Sequence, residues 1–278
     1  MGHLYIAAAH KSSGKTSVSI GLTAALTQKG LAVQPFKKGP DFIDPLWLTR
    51  AAGRPCYNLD FFIQGHDEII GTFTSRQHDA DIALVEGNKG LFDGVDTAGS
   101  DSNAAMAKLL GAPVVLVIDT GGMTRGIAPL IRGYLDFDPD VNIGGVILNK
   151  VGGSRHETKL RAALERYTNT EVLGAIGRDA GLIIPERHLG LVPANEARGQ
   201  GTADTTIARL ADAVAANVEL DRIISLAKTA STPGPQQTSP TQAPVPMKPL
   251  VRIAIARDAA FGFYYPDDLE AFQRAGAE

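Results

Sequence analysis

Ala9-His10-Lys11-Ser12-Ser13-Gly14-Lys15-Thr16 is the stretch that decides the fold. It follows the apolar run Leu4-Tyr5-Ile6-Ala7-Ala8. It opens a segment with apolar residues at Val18, Leu22, Ala25 and Leu26, the spacing of one helix face. Gly30 supplies a helix stop. Strand, loop and helix in that order are the context a phosphate-binding loop requires. Backbone N–H groups of Ser12, Ser13 and Gly14 would cradle phosphate oxygens at the helix start, where the dipole favours negative charge. Lys15 would reach the terminal phosphates, and the Thr16 hydroxyl would sit on Mg²⁺. Ala9 stands where the usual pattern has Gly, and its Cβ disfavours a left-handed backbone. The competing reading is a Ser/Gly-rich turn with a solvated lysine; the position directly after the first strand favours the nucleotide loop. Lys11 reads equally as a second phosphate cation or as a surface side chain.

Outward from the loop, short apolar runs alternate with helical patterns, which predicts an α/β fold with a doubly wound, mostly parallel sheet. Strands are expected at Leu31–Phe36, Asp81–Val85, Val114–Ile118, Gly145–Leu148 and Val172–Ile176. Helices are expected at Ser102–Leu110, Met123–Tyr134, His156–Tyr167 and, as one piece, Asp204–Leu226. Lys37 to Pro45, with two Pro and a Gly, reads as a charged loop, and open α/β sheets bind ligands in such loops at strand carboxyl ends. Glu86 ends one buried strand and Asp119 another, so either is a candidate Mg²⁺ partner. Asn149 and Lys150 end a further strand, where an amide can face a purine edge or serve as a turn or N-cap residue. His188 reads as structural or surface.

The organisation expected is a nucleotide-binding domain over 1–228, a Pro/Ser/Thr-rich linker over 229–249, and a fragment over 250–278 with one strand at Val251–Ala256 and one helix at Pro266–Gly276. A lone strand and helix cannot bury a core. The 27 basic and 30 acidic residues give a net charge of -3, which offers no overall bias toward nucleic acid or anionic lipid. No apolar stretch is long enough to span a bilayer, and no leader precedes the first strand. A single cysteine, Cys56, excludes an intrachain disulfide or a zinc cluster and fits a cytoplasmic location.

Three motifs together resemble the cobyrinic acid a,c-diamide synthase family: the loop ending Ser13-Gly14-Lys15-Thr16, Lys38-Gly39-Pro40-Asp41-Phe42-Ile43-Asp44-Pro45, and Glu86-Gly87-Asn88-Lys89-Gly90-Leu91-Phe92-Asp93-Gly94. Gly145 to Val151 and Pro185 to Ala194 match as well. The resemblance implies a phosphate-loop fold of the dethiobiotin synthetase and partitioning-ATPase type. It implies ATP and Mg²⁺ as cofactors and a carbon–nitrogen ligase that amidates peripheral acetates of a tetrapyrrole through an acyl phosphate. It places Lys15, Asp44, Glu86 and Asp93 at the chemistry, Thr16, Asp44 and Glu86 at the metal, and Lys11 to Thr16, Asn149, Lys150 and Pro193 at the nucleotide. Ammonia in that family comes from a C-terminal glutaminase, which residues 250–278 resemble at its start. Its cysteine nucleophile would lie beyond them, so this chain is expected to use free ammonia. Ala9 to Ser12 and Glu86 to Lys89 look more like relatives that amidate sirohaem-type substrates, so corrinoid and sirohaem-type macrocycles both stay open. The fold also implies a homodimer. A dethiobiotin-synthetase-like ligase and a partitioning-type ATPase switch are the rival readings.

Overall fold

The computed structural model describes residues 2–187, 190–197, 202–231, 233, 249 and 251–278. Seven strands form one parallel sheet: β1 (Gly2–Ala8), β2 (Val33–Lys38), β3 (Tyr57–Leu59), β4 (Ile82–Glu86), β5 (Val114–Asp119), β6 (Ile143–Val151) and β7 (Val172–Gly177). Their spatial order is β3-β2-β4-β1-β5-β6-β7. β1 is buried along its whole length because β4 and β5 pair with its two edges while helices cover both faces. The period of two sends Leu4 and Ile6 to one core and Tyr5 and Ala7 to the other. The first core is closed by α1 (Lys15–Gln28), α2 (Ile43–Ala52), α7 (Ala203–Asn217) and α8 (Leu220–Ala227). The second is closed by α3 (His66–Gln77), α4 (Asn103–Leu110), α5 (Ile127–Phe137) and α6 (Ser154–Tyr167). The doubly wound parallel sheet read from the sequence is therefore the observed architecture.

The helix that carries the loop is wedged between sheet and α7, so residues on nearly all its sides are buried. Gly21 permits that approach: a Cβ there would lie 2.5 Å from Val214 Cγ2 and 2.7 Å from the Leu210 carbonyl oxygen. Gly21→Leu is expected to force α1 and α7 apart and to destabilise the chain by about 3 kcal/mol. A fall in the urea midpoint at unchanged slope would register it, and an unchanged midpoint would contradict the packing account.

Three expectations are corrected. Lys37 to Pro45 is not one loop: Lys37 and Lys38 finish β2, and Ile43 begins α2 with Asp44 and Pro45 in its first turn. Pro is tolerated there because early helical N–H groups have no intrahelical acceptor. The Asp204–Leu226 helix is two helices, because Val218 turns extended and bridges to Gly174. Val251–Ala256 forms no strand; Val251 makes only an isolated bridge to Ala277, and Val251, Ile253 and Ile255 are exposed. The described part of this segment leans on the main fold through α9 (Pro266–Arg274), where Tyr57 Oη donates to Glu270 Oε1 at 2.7 Å and Arg76 also pairs with Glu270. Most of 229–249 and His188 lie outside the described residues. Cys56 is fully buried, and burial pushes its thiol well above the ordinary range. No helix among the described residues is long and apolar enough to cross a membrane.

Candidate nucleotide and phosphoryl-transfer site

At the carboxyl ends of the central strands lies a cavity of about 780 Å³ lined by His10 to Val18, by Lys37 and Asp44, and by Asn149 and Lys150. β1 runs into α1 on one face of the sheet while its neighbours β4 and β5 run into α4 and α5 on the other, and such a switch point opens the crevice where ligands bind in these sheets. The loop between β1 and α1 turns twice through left-handed backbone, at Ser12 (φ 67) and Gly14 (φ 83). Gly14 is required for space as well: a Cβ would lie 2.2 Å from Asn149 Nδ2. Tyr134 Oη donates to the carbonyl of Ala9, and the amide of Asn149 donates to the Ser13 carbonyl at 2.8 Å. Lys150 Nζ donates to the Ser12 carbonyl at 2.8 Å and to Asp119 at 2.7 Å. Three side chains from two elements, α5 and β6, thus hold the loop's carbonyls. Asn149 and Lys150 therefore brace the phosphate loop from β6.

The charged centre lies beneath the loop. Glu86 ends β4, is 1% exposed, and its Oε1 accepts from Lys15 Nζ at 2.6 Å and Thr16 Oγ1 at 2.7 Å. Thr16 Oγ1 also reaches Asp44 at 3.3 Å. Lys37 Nζ sits 2.5 Å from Asp44, 3.3 Å from Glu86 and 3.6 Å from Asp41, and donates to the Gly87 carbonyl at 3.0 Å. Burial works against the Lys37 ammonium, but Asp44, Glu86 and Asp41 hold its pKa well above the ordinary lysine value. Burial pulls Lys15 below that value, against the pull of Glu86. Burial raises Asp41 in spite of Lys37; for Asp44 burial acts the same way, but Lys37 and Lys15 outweigh it and hold the carboxyl below its usual range. A buried network of this kind is stable only when every charge has a partner.

One acceptor has none. Glu86 Oε2 is buried without a hydrogen-bond partner. An all-oxygen set of Thr16 hydroxyl, Asp44 and Glu86 with a spare carboxylate oxygen suits Mg²⁺, which takes one or two carboxylates and completes its shell with phosphate and water. No group of three or more His, Cys, Asp or Glu side chains among the described residues is arranged to hold a metal by itself. The fit is therefore to a cation that arrives with a nucleotide. Asp119, the other strand-terminal acid, is committed to Lys150 and the Gly121 N–H and does not approach Thr16.

The remaining residues expected at the site divide. Lys11 is exposed on the cavity wall, as is Lys89. Asp93 is exposed and outside that wall; its Oδ2 accepts from the Gly90 N–H at 3.0 Å on a turn packed against Ala9. Pro193 lines a second cavity of about 480 Å³, shared with Asn195, Glu196 and Ala259 to Tyr264, rather than the first. Sequence reasoning missed Lys37 and Asn103. The one signal for Lys37 was a lysine directly after an apolar strand and before an Asp-rich turn. Asn103 is fully buried, accepts from Tyr5 Oη at 2.8 Å and from the Asn88 N–H at 3.0 Å, and donates to the Gly90 carbonyl at 2.7 Å. It fixes the loop that follows Glu86, and nothing in its local sequence marks it.

Residues 4–192 match the family model described as the CobQ/CobB/MinD/ParA nucleotide binding domain. The chain is 49% identical over 278 residues to a protein of Magnetococcus marinus named cobyrinate a,c-diamide synthase, covering 99% of this chain and 59% of that protein. A protein of the same name from Syntrophotalea carbinolica is 45% identical over 276 residues, with 99% and 59% covered. The chain thus spans about three-fifths of the length of these relatives. Among solved structures, the signal recognition particle receptor FtsY from Elizabethkingia anophelis in complex with GDP aligns with TM-score 0.46 at 14% identity, covering 64% of this chain and 57% of that one.

Proposed function

The chain belongs to the CobQ/CobB/MinD/ParA nucleotide binding domain family, and from that premise we propose that it is the ATP-dependent amidoligase part of a cobyrinate a,c-diamide synthase. The observation that carries this reading is Glu86, buried beneath the phosphate loop with Lys15 and Thr16 on one carboxylate oxygen and the other unpartnered. A structural ion pair has no use for a spare buried oxygen, whereas a site that receives Mg²⁺ with a nucleotide does. The names of the relatives support a corrinoid substrate.

The chemistry requires activation, because a carboxylate would have to expel oxide to accept nitrogen. An acetate oxygen of the macrocycle attacks the γ-phosphorus of ATP, and ADP leaves. The ammonia nitrogen then attacks the acyl carbon, phosphate leaves with the former carboxylate oxygen, and nitrogen loses a proton. Thr16, Asp44 and Glu86 would hold Mg²⁺, which neutralises charge on the phosphates. Lys15 stabilises charge on the transferring phosphoryl group. Lys37, facing the same space from β2, holds the Asp44 carboxyl below its usual range against burial. The exposed Lys11 and Lys89 give the cavity mouth cations for a polycarboxylate. Asp93, on the turn beside Ala9, would polarise the incoming ammonia. Asp93→Asn is expected to abolish amidation while leaving ADP affinity within about twofold, since charge beyond hydrogen-bond reach acts weakly through solvent. Lost nucleotide binding in that variant would argue against the assignment. The acyl phosphate itself is tested with carboxylate-¹⁸O substrate: inorganic phosphate should acquire label, and unlabelled phosphate accompanying amide formation would overturn the step.

A further inference from the structure

We infer that Phe42 is a positioning residue through which the C-terminal segment sets the cation side of the nucleotide site; this rests on the reading of Thr16, Asp44 and Glu86 above. Phe42 precedes α2, between Asp41 and Asp44 in sequence. Its ring stacks on Phe263, at 5.4 Å between centroids and 13° between planes, and on Tyr265, at 4.2 Å and 17°. Neither contact serves a core, since Phe42 and Tyr265 are only partly buried and Phe263 is exposed. Yet Phe42 has little freedom to move alone. Asp41 Oδ1 accepts from the N–H groups of Ile43 at 2.8 Å and Asp44 at 3.0 Å, so the turn holds its shape as a unit. A shift of the Phe42 ring is therefore a shift of Asp44, whose carboxylate reaches Lys37 and Thr16.

The same segment grips the turn's other support. Asn58 on β3 brackets Asp41, accepting its N–H and donating to its carbonyl, each at 3.0 Å. The neighbouring Tyr57 donates to Glu270 on α9, and Arg76 pairs with Glu270 while lying 4.6 Å over the Tyr57 ring. Residues 263–270 thus touch the turn directly through Phe42 and its bracket through Tyr57. These contacts form a physical link from residues 263–270 to the phosphoryl-transfer site. Such a link is a coupling free energy, and it works equally in both directions.

Tyr265 allows a clean test, because it contacts Phe42 and lines neither cavity. Isothermal titration of the chain with ADP, in Mg²⁺ and in EDTA, is compared for the wild type, Tyr265→Leu and Tyr265→Phe. Losing one stacked pair should raise the Mg·ADP dissociation constant about fivefold in Tyr265→Leu, with Tyr265→Phe close to wild type. In EDTA the same variant should stay within about twofold of wild type, because Asp44 acts through the cation. Reciprocally, Mg·ADP should slow hydrogen exchange of the α9 amides in the unaltered chain. Mg·ADP affinity unchanged in Tyr265→Leu, an equal loss in EDTA, or α9 exchange indifferent to nucleotide would each overturn the inference while the nucleotide reading stands. A wild-type chain that binds no Mg·ADP would overturn the nucleotide reading and this inference with it.

Discussion

Lys15→Met is expected to lower the proposed ATP-dependent amidation by about 100- to 1000-fold, the scale for removing one preorganised charge from a transition state. Lys15 is 9% exposed and its Nζ is held 2.6 Å from Glu86, so its position is set before any phosphate arrives. Its burial draws the ammonium pKa down, and Glu86 opposes that. Methionine keeps the length and most of the volume, so fold and macrocycle binding should persist. The loss should fall on kcat, with a smaller change in KM, because charge on the transferring phosphoryl group develops most in the transition state. Steady-state kinetics with ammonium chloride as nitrogen source read this directly. Turnover within about tenfold of wild type would remove Lys15 from the transition state.

Lys37→Met acts first on stability. Its ammonium is the shared partner of Asp44, Glu86 and Asp41, and it is 1% exposed. Removing it leaves three neighbouring carboxylates around an apolar side chain, and breaking a buried pair of this kind costs about 3–5 kcal/mol. A divalent cation placed against Asp44 and Glu86 would restore part of the compensation. Thermal unfolding with and without MgCl₂ should therefore show a marked loss in EDTA, and a larger rise on adding Mg²⁺ than the wild type shows. Equal responses of variant and wild type to Mg²⁺ would place the cation elsewhere. Activity should fall as well, and the Mg²⁺ dependence of the residual rate separates a lost counter-ion from a lost catalytic contact.

Much of the architecture was legible because it rests on local pattern. β1 and the phosphate loop announce themselves by an apolar run, a Gly-Lys-Thr sequence and a helical repeat. β4 and β5 do so by uninterrupted apolar stretches of the kind a strand buried on both faces requires. The misreadings share a cause: tertiary contacts decided what local sequence left undetermined. Pro45 looked like a loop residue until α2 proved to begin two residues earlier, where Pro is harmless. No Gly or Pro marks the break at Val218, which follows from its bridge to Gly174. Val251–Ala256 carries a strand pattern but has no neighbouring strand among the described residues. β3, with three residues, is too short for periodicity to register.

At the site, the loop and Glu86 stood out because each ends or follows a strand in a recognisable motif. Lys37 did not, since its meaning lies in Asp44 and Glu86, which the fold brings to it from α2 and β4. Asn103 is the same case on the other face, invisible until Tyr5 and Gly90 are seen around it. Pro193 belonged to a matching motif, yet the hairpin of β8 (Glu186–Arg187) and β9 (Gly190–Leu191) leads it to the second cavity.

The most direct measurement of the central claim is product mass. The chain is incubated with ATP, Mg²⁺ and ammonium chloride, and with hydrogenobyrinic acid, sirohydrochlorin or sirohaem in turn. The account predicts a corrinoid product lighter by the difference between hydroxyl and amino at each amidated acetate, formed only when ATP is present and lost in Lys15→Met. A shift confined to sirohaem or sirohydrochlorin would keep the mechanism and contradict the corrinoid assignment. ATP consumed with no change in mass on any macrocycle would contradict the claim itself.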